Sequence, residues 1–597
     1  MIILIEEKFK QIIKREEDTI KKETSSFNIL GALRLISFMV IIYFSYKYIK
    51  EPLDIHFYLL LLNISIFIVL VIFHIKVKNR LNYSKKMIAI NKKYLDRISG
   101  DWIHFTDIGE EFVDKTHRYS SDLDIVGERS LFQLINLTHT FYGRKILAKD
   151  LLDPKYTKEE IKTRQEAIEE LKDKLEFCEK LELKASDDSI KNPQKMIEYF
   201  TESKKAYSKA IINILRIMPI IAVLLSITII ILKIQSLYRV VFFLFTLQSI
   251  IWLVGMNKNN ELLEKVSYLS SSLEDYLEIL RLIEKEEFKS TLLKDIKENL
   301  LGKEVSALTG IQKLEMIAQM ISIRSNGLIY IVFNILFLWD YQSAFALEIW
   351  KNNFGKNVEN WLHSIGEIEA LMSLAVPLQI EDGLTFPIID NKNFKIDAKK
   401  IGHPLIKKEE RVYNDILIDD KILIITGSNM SGKTTFLRTL GINMVLTNAG
   451  SATCSSELSL PIMDIYTSMR ITDDLKNKIS TFYGELLRIK DILDYSKTHK
   501  NTFFLIDEIF RGTNSKDRIY GAKNVVRNLN NSSLMGAITT HDLELCALDN
   551  HKRIVNYNFS EDYIDGKINF DYKIRKGKST STNAKHLMEL VGIDLLE

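Results

Sequence analysis

A chain of 597 residues is long enough to hold several domains rather than one core. Its formal net charge is only +3 with 27% charged residues, which excludes a chain-wide basic field for nucleic acid and makes any such site local. The three cysteines, Cys178, Cys454 and Cys546, are far apart and suggest neither a disulfide framework nor a zinc site, which fits a reducing cytoplasm.

The first predicted elements are a helical lead and two apolar stretches, residues 35–46 and 55–75, joined by the short polar turn 47–54. A second pair follows at 217–232 and 240–256, joined by 233–239. A bilayer-spanning helix needs roughly 20 apolar residues, with a lower limit near 17. The second stretch passes easily, and Arg34, Lys47, Arg216 and Lys233 can snorkel to extend the shorter ones. Two membrane hairpins are the favoured reading. The alternative is a set of all-round apolar helices buried in a cytosolic core or a dimer interface. Lys8, Lys10, Lys14, Arg15, Lys21 and Lys22 precede the first span, and Lys76, Lys78, Arg80, Lys85 and Lys86 follow the second. That excess predicts a cytoplasmic N-terminus and cytoplasmic soluble segments, and the late apolar run is not expected to be a cleavable signal.

The expected organisation is residues 1–80 as N-terminal helix and hairpin one, 81–205 as a helical segment, 206–257 as hairpin two and 258–376 as helices again. Residues 377–597 are expected to form an α/β domain, introduced by β-type runs such as 384–389. The second helical stretch has heptad-like spacing at Leu262, Leu269, Leu273, Leu277 and Leu280. The apolar run 328–339 is only about twelve residues, ends at Asp340, and reads as a core helix.

In the last domain, Ile422-Leu423-Ile424-Ile425 reads as a buried strand running into Gly427-Ser428-Asn429-Met430-Ser431-Gly432-Lys433-Thr434, a complete phosphate-binding loop. Its glycines let the backbone wrap phosphates, Lys433 can reach the β- and γ-phosphates, and the Thr434 hydroxyl can ligate Mg²⁺. Thr435 then opens a stretch with helical apolar spacing, so a helix N-terminus also faces the anion. A second apolar strand, residues 502–506, ends at Asp507-Glu508. The aspartate is a candidate Mg²⁺ ligand and Glu508 a candidate to orient or deprotonate the attacking water. His541 closes a third apolar run and is a candidate sensor of the γ-phosphate. ATP and Mg²⁺ are the cofactors this pattern predicts.

These motifs, in this order, resemble the MutS family, whose ATPase belongs to the ABC superfamily. Residues 426–438 look like its phosphate loop, with Ser428 where the family usually has proline and Ser431 where it usually has glycine. Residues 464–475 and 480–485 are similar to the segment leading to the signature loop and to the loop itself. Residues 507–517 and Thr540-His541 match the metal strand with its following loop and the switch histidine. Upstream, residues 130–147 and 161–168 resemble the opening of the helical core, 367–375 its closing helix, and 402–406 the start of the ATPase domain.

The resemblance implies an all-α MutS-like core and lever and a C-terminal ABC-type P-loop ATPase domain with a helical dimerisation segment; with the transmembrane hairpins, which do not belong to a soluble MutS, the expected fold is α plus α/β multidomain. It implies homodimers with composite ATP sites, in which Ser480 and Thr481 reach the partner's nucleotide, and it makes Glu508 and His541 catalytic. Arg411, Val412 and Tyr413 occupy the approximate place of the family's adenine-stacking aromatic, and Tyr413 is the chosen candidate. Mismatch reading is not expected. The family's wedge domain is replaced by helices, and Phe177-Cys178-Glu179 only shares the spelling of its Phe-x-Glu motif.

Two function classes stay open. One is a clamp at the inner face of the membrane that embraces double-stranded or branched DNA. The other is a membrane-remodelling or transport-coupled ATPase. Residues 261–300 carry ten acidic and six basic residues, a net of −4 that is unattractive to phosphate and favours the second class.

Overall fold

The computed structural model describes residues 2–186, 193–202, 207–232, 234, 237–267, 270–302, 305–470, 481–499, 501–510, 515–532, 534–564 and 567–578. In chain order the first helices are α1 (Ile2–Lys50), α2 (Asp54–Ser99), α3 (Leu131–Ile135), α4 (Phe141–Leu152), α5 (Lys158–Asp173), α6 (Leu175–Ala185) and α7 (Gln194–Thr201). Then come α8 (Lys209–Leu232), α9 (Tyr238–Ser267), α10 (Ser270–Lys285), α11 (Thr291–Leu301), α12 (Ala307–Ser322), α13 (Gly327–Phe337), α14 (Trp339–Phe354) and α15 (Val358–Ile380). The last three are α16 (Lys433–Ala449), α17 (Thr481–Ser496) and α18 (Ser515–Asn531). The strands are β1 (Ile388–Ile389), β2 (Lys395–Ile401), β3 (Asn414–Asp419), β4 (Ile422–Thr426) and β5 (Glu457–Leu460). They continue with β6 (Asp464–Ser468), β7 (Thr502–Ile506), β8 (Met535–Thr539), β9 (Ile554–Ile564) and β10 (Lys567–Lys576).

The chain divides into two compact units, each discontinuous in sequence. One comprises Met1–Leu134, Val376–Met444 and Thr453–Glu597, and the other Ile135–Ala375 with Val445–Ala452. The architecture is α plus α/β.

In the first unit α1 and α2 pair along their length, and α2 runs unbroken across residue 80, so the boundary expected there falls inside a helix. The lower part of the pair is an ordinary core. Phe9 stacks on Tyr94 at 4.8 Å, Leu81, Met87 and Ile90 are buried, and Ser84 Oγ donates to Glu16 at 2.8 Å. The upper part inverts that pattern. Asn63 Nδ2 donates to the Ser37 carbonyl at 2.9 Å and Ser37 Oγ to Asn63 Oδ1 at 3.1 Å, while Leu35, Ile36, Phe38 and Met39 face outward. At its foot α2 joins the α/β part: Tyr94 OH donates to Gln379 at 3.1 Å and Arg97 Nε to the Leu134 carbonyl at 2.7 Å.

The α/β part has a four-stranded sheet, β1-β5-β2-β3, and a six-stranded sheet, β10-β9-β4-β8-β7-β6. In the larger sheet β9, β4, β8, β7 and β6 are parallel and only β10 is antiparallel. Strands β4, β7 and β8 are buried at every position, as expected of central strands covered on both faces, whereas β3 alternates buried and exposed.

The second unit is helical. Two segments singled out in the sequence meet here. Thr140 caps α4 by accepting from the Gly143 amide at 3.1 Å, and the buried Glu369 of α15 accepts from the His139 amide at 2.9 Å. Gly143 is required, because a Cβ there would run into the Glu369 side chain. Phe177, Cys178 and Glu179 are all buried in α6, so they form no surface wedge.

Among the described residues four helices, within α1, α2, α8 and α9, are long and apolar enough to cross a membrane. Only 6%, 0%, 22% and 17% of their respective apolar windows is buried, so little of the chain covers them. The run expected to be a core helix behaves differently. Residues 327–337 form α13, which packs on α8, α9 and α14 along one side and exposes Leu328, Ile329, Ile331 and Val332 on the other. Twelve apolar residues are compatible with either burial or exposure, and here only one face is covered.

Candidate functional site

Register brings the predicted residues together. Ile425 pairs with Thr539 across β4 and β8, and Ile506 pairs with Ile538 across β7 and β8. The loops after β4, β7 and β8 therefore leave the sheet at the same edge, the carboxyl ends where open α/β sheets bind ligands. They carry Gly427–Thr434, Asp507-Glu508 and Thr540-His541 respectively.

A cavity of about 590 Å³ lies at this edge, within the 300–1,000 Å³ usual for small-molecule sites. Asn429, Met430, Ser431, Gly432, Lys433, Thr434, Thr435 and Glu508 line it. Gly432 has φ +101° and its missing Cβ leaves room for the Tyr572 ring, which would lie 3.0 Å from that atom. Gly427 approaches the Phe559 carbonyl and Ser431, which a side chain would block. Lys433 Nζ donates to the carbonyls of Gly427 and Ser428 at 2.9 and 2.7 Å, and α16 begins at that lysine.

The two departures from the family loop have partners. Ser431 Oγ donates to the Ser428 carbonyl at 2.8 Å, and Ser428 Oγ donates to the Glu561 carboxylate of β9 at 2.7 Å. The serines thus tie the loop to itself and to the neighbouring strand.

Thr434 Oγ1 donates to Asp507 Oδ2 at 2.8 Å, joining the hydroxyl and the carboxylate that would share a divalent cation. Thr539 organises the turn: its hydroxyl donates to Asp507 Oδ1 at 2.6 Å and accepts from the Glu508 amide at 2.7 Å. Glu508 itself has φ +46°, a left-handed conformation that costs a non-glycine residue about 1–3 kcal/mol and so needs this clamp. His541 Nε2 lies 3.4 Å from Glu508 Oε1. These donors suit a phosphate chain with a hard cation. Backbone amides at a helix N-terminus and a lysine meet the anion, and a hydroxyl and a carboxylate meet the metal.

Of the three neighbours offered for the base, Arg411 and Val412 line the cavity, while His403 and Tyr572 were not legible in the sequence. Tyr413 does not line the cavity; its ring lies beside the Arg411 guanidinium at 5.9 Å, and Lys573 donates to its carbonyl. Val412, His403 and Tyr572 form that wall instead. Burial, with Arg438 and Arg411 nearby, pushes the His403 imidazole down to about 3, so it stays neutral at physiological pH. Arg411 is fixed by a two-nitrogen pair with Glu381, at 2.6 and 3.1 Å.

Asp122 and Asp124 were also missed. Asp122 accepts from the amides of Met469 and Arg470 just past β6, and Asp124 bridges Arg438 of α16 and Arg470 at 2.9 and 2.6 Å. Ser480 lies outside the described residues, as do 471–479, 511–514 and 579–597. Thr481 begins α17.

The family model for MutS domain III matches residues 114–493, and that for MutS domain V matches 423–594. A DNA mismatch repair protein MutS of Halothermothrix orenii is 30% identical over 250 residues, 40% of this chain and 28% of that protein. Proteins of the same description from Aquifex pyrophilus and Clostridium novyi are 30% and 31% identical over 238 and 252 residues. Those stretches cover 38% and 40% of this chain and 27% of each relative, so the similarity spans little more than a quarter of the relatives' length. With the domain III match alone covering more than half of its residues, and with the phosphate-loop, carboxylate and histidine motifs converging at one sheet edge, the chain belongs to the MutS family.

Proposed function

We propose that this protein is a Mg²⁺-dependent ATPase of MutS type, held at the inner face of the cytoplasmic membrane by two helical hairpins and working as a dimeric clamp. The observation that carries the ATPase reading is that Lys433, Thr434 and Glu508 line one cavity, with Asp507 bonded to Thr434 and His541 3.4 Å from Glu508 behind them. Thr434 and Asp507 would hold Mg²⁺, which would supply positive charge to the β- and γ-phosphates. Lys433 and the loop amides hold and neutralise those phosphates, and Glu508 orients the attacking water and takes its proton. His541, 3.4 Å from the Glu508 carboxylate, reads the γ-phosphate. Val412 and Tyr572 offer the apolar surface for the base.

The membrane reading rests on the inversion of side chains in the hairpins. Polar Ser37, Asn63, Gln248 and Asn259 are turned inward, and Phe242, Phe243, Leu253 and Val254 face out. An aqueous surface would favour the reverse. The substrate of the clamp is DNA, as the names of the relatives suggest, without mismatch reading.

A second reading is favoured by the net charge of −4 over residues 261–300, which contain α10 and most of α11. In it ATP-driven closure acts on the hairpins and no duplex is held.

Detergent-solubilised protein separates the two. Salt-sensitive binding to homoduplex, mismatched or branched DNA, with less than tenfold preference for the mismatch, supports the clamp. No binding at low salt supports membrane remodelling. For the dimer, Lys433→Ala and Ser480→Arg chains should each be inactive, and mixing should restore part of the hydrolysis by forming one intact composite site. Heterodimers without any recovery would defeat that arrangement.

A further inference from the structure

The apolar face of α13 has no role in the reading above. Its sequence, Gly-Leu-Ile-Tyr-Ile-Val-Phe-Asn-Ile-Leu-Phe, carries no charge, and Leu328 and Val332 are 80% and 50% exposed. Eleven residues of helix measure about 16 Å, roughly half of a 30 Å hydrocarbon core, so α13 cannot cross a bilayer alone. Nor can it cross as a continuation of α12, because the two helices meet at 116°. The break is built into the chain: Asn326 caps α13 by accepting from the Ile329 amide, and at the other end Leu338 takes φ +51° to turn into α14.

The two ends of this segment are clasped together. Arg324 Nε donates to Asp340 at 2.9 Å, Trp339 Nε1 donates to the Met320 carbonyl at 2.8 Å, and Tyr330 OH donates to Asp340 at 2.7 Å. Asp340 is almost wholly buried, so its pairing with Arg324 holds the neck of the loop shut. Entry and exit therefore lie on one side.

The neck sits against hairpin two. Tyr341 OH donates to the Ile251 carbonyl at 3.1 Å, Gln342 Nε2 to the Leu215 carbonyl at 3.0 Å, and Trp252 packs edge-on to Tyr330 at 5.6 Å. Leu215 is near the start of α8, and Ile251 is about 20 Å along α9 from the turn that joins the hairpin. Both positions belong to the cytoplasmic half of the hairpin. The free face of α13 thus continues the outward apolar surface of α8 and α9 at that level.

We infer that α13 is a non-spanning helix seated within the cytoplasmic leaflet beside hairpin two, entering and leaving on the same side, with Leu328, Ile331 and Val332 against lipid acyl chains. This rests on the membrane reading of hairpin two. Its apolar surface lets the helix seat in lipid, while the Arg324–Asp340 clasp stays with the protein, where a buried charge pair is tolerated.

The test uses full-length protein in lipid discs with a nitroxide at Leu328→Cys or Val332→Cys. The three native cysteines are buried and leave the labels site-directed. Val254→Cys serves as the hairpin reference and Tyr520→Cys as the aqueous one. Collision with oxygen should exceed collision with a water-soluble nickel chelate at 328 and 332, as at 254 and unlike 520. Aqueous behaviour at 328 and 332, or shielding from both reagents as a second copy would give, overturns the inference while 254 remains in lipid. Loss of the lipid signature at 254 as well overturns the hairpin itself. In whole cells, a membrane-impermeant thiol reagent should label Glu51→Cys and not Leu328→Cys. Labelling of both would mean that the segment crosses the bilayer.

Discussion

The cavity at the sheet edge and the apolar hairpins both turn polar side chains inward, yet for opposite ends. At the cavity Thr434 and Thr539 meet Asp507, Ser428 meets Glu561, and the charged Glu410, Arg411, Lys433 and Glu508 are part of the lining. In hairpin one Ser37 and Asn63 bond only to each other, with apolar residues uncovered around them. In hairpin two both side-chain polar atoms of the buried Gln248 have no hydrogen-bond partner among the described residues. An inward polar group beside a charged lining can make a site. The same group behind an outward apolar skin suits the proposed apolar medium, where the outer face would be the favourable one.

The largest effects belong to the cavity. Lys433→Ala should abolish nucleotide binding and cut hydrolysis about 100-fold or more, the scale seen when one preorganised charge-stabilising donor is removed. Glu508→Gln should keep binding and slow turnover by about 100-fold to 10,000-fold, as for loss of a general base. Turnover assays with nucleotide-binding titrations check both, and unchanged turnover in the two variants would sink the site.

The hairpins give the contrasting result. Wild-type protein should stay with membranes through high salt and carbonate, because apolar burial rather than charge retains it. Recovery in the soluble fraction without detergent would mean that protein covers those faces and would remove the contrast altogether.

A smaller effect sharpens it. A double-mutant cycle of Ser37→Ala and Asn63→Leu, read by thermal unfolding of the solubilised protein, should show coupling of about 0.6–2 kcal/mol, the range of interhelical hydrogen bonds in membrane helices. Zero coupling would mean that the pair does not hold the upper hairpin together.

The mildest test concerns His403 in the cavity wall. Its folded value of about 3 lies below the unfolded value near 6.5, so between those limits the unfolded chain binds more protons and stability falls as pH falls. The slope from this group approaches about 1.4 kcal/mol per pH unit at most. The stability advantage of wild type over His403→Gln should therefore shrink between pH 6.5 and 5. A difference independent of pH would show that the imidazole is not held neutral.

Much of this arrangement is written locally. The strands β4 and β7 are continuous apolar runs, the phosphate loop between β4 and α16 needs specific glycines and a lysine, and Asp507-Glu508 directly follows an apolar strand. Such signals depend on neighbours in sequence, as does the length of the four apolar helices. What the sequence alone could not decide is which distant residues share a surface. Thr539 as the clamp on Asp507 and Glu508, Tyr572 and His403 in place of Tyr413 on the cavity wall, and Asp122 and Asp124 beyond β6 come from segments up to several hundred residues apart. The apolar run at α13 shows the limit most plainly. Its composition demands an apolar neighbour, but whether that neighbour is the chain's own core or another medium is set by the helices packed on its other side, because hydrophobic attraction has no direction of its own.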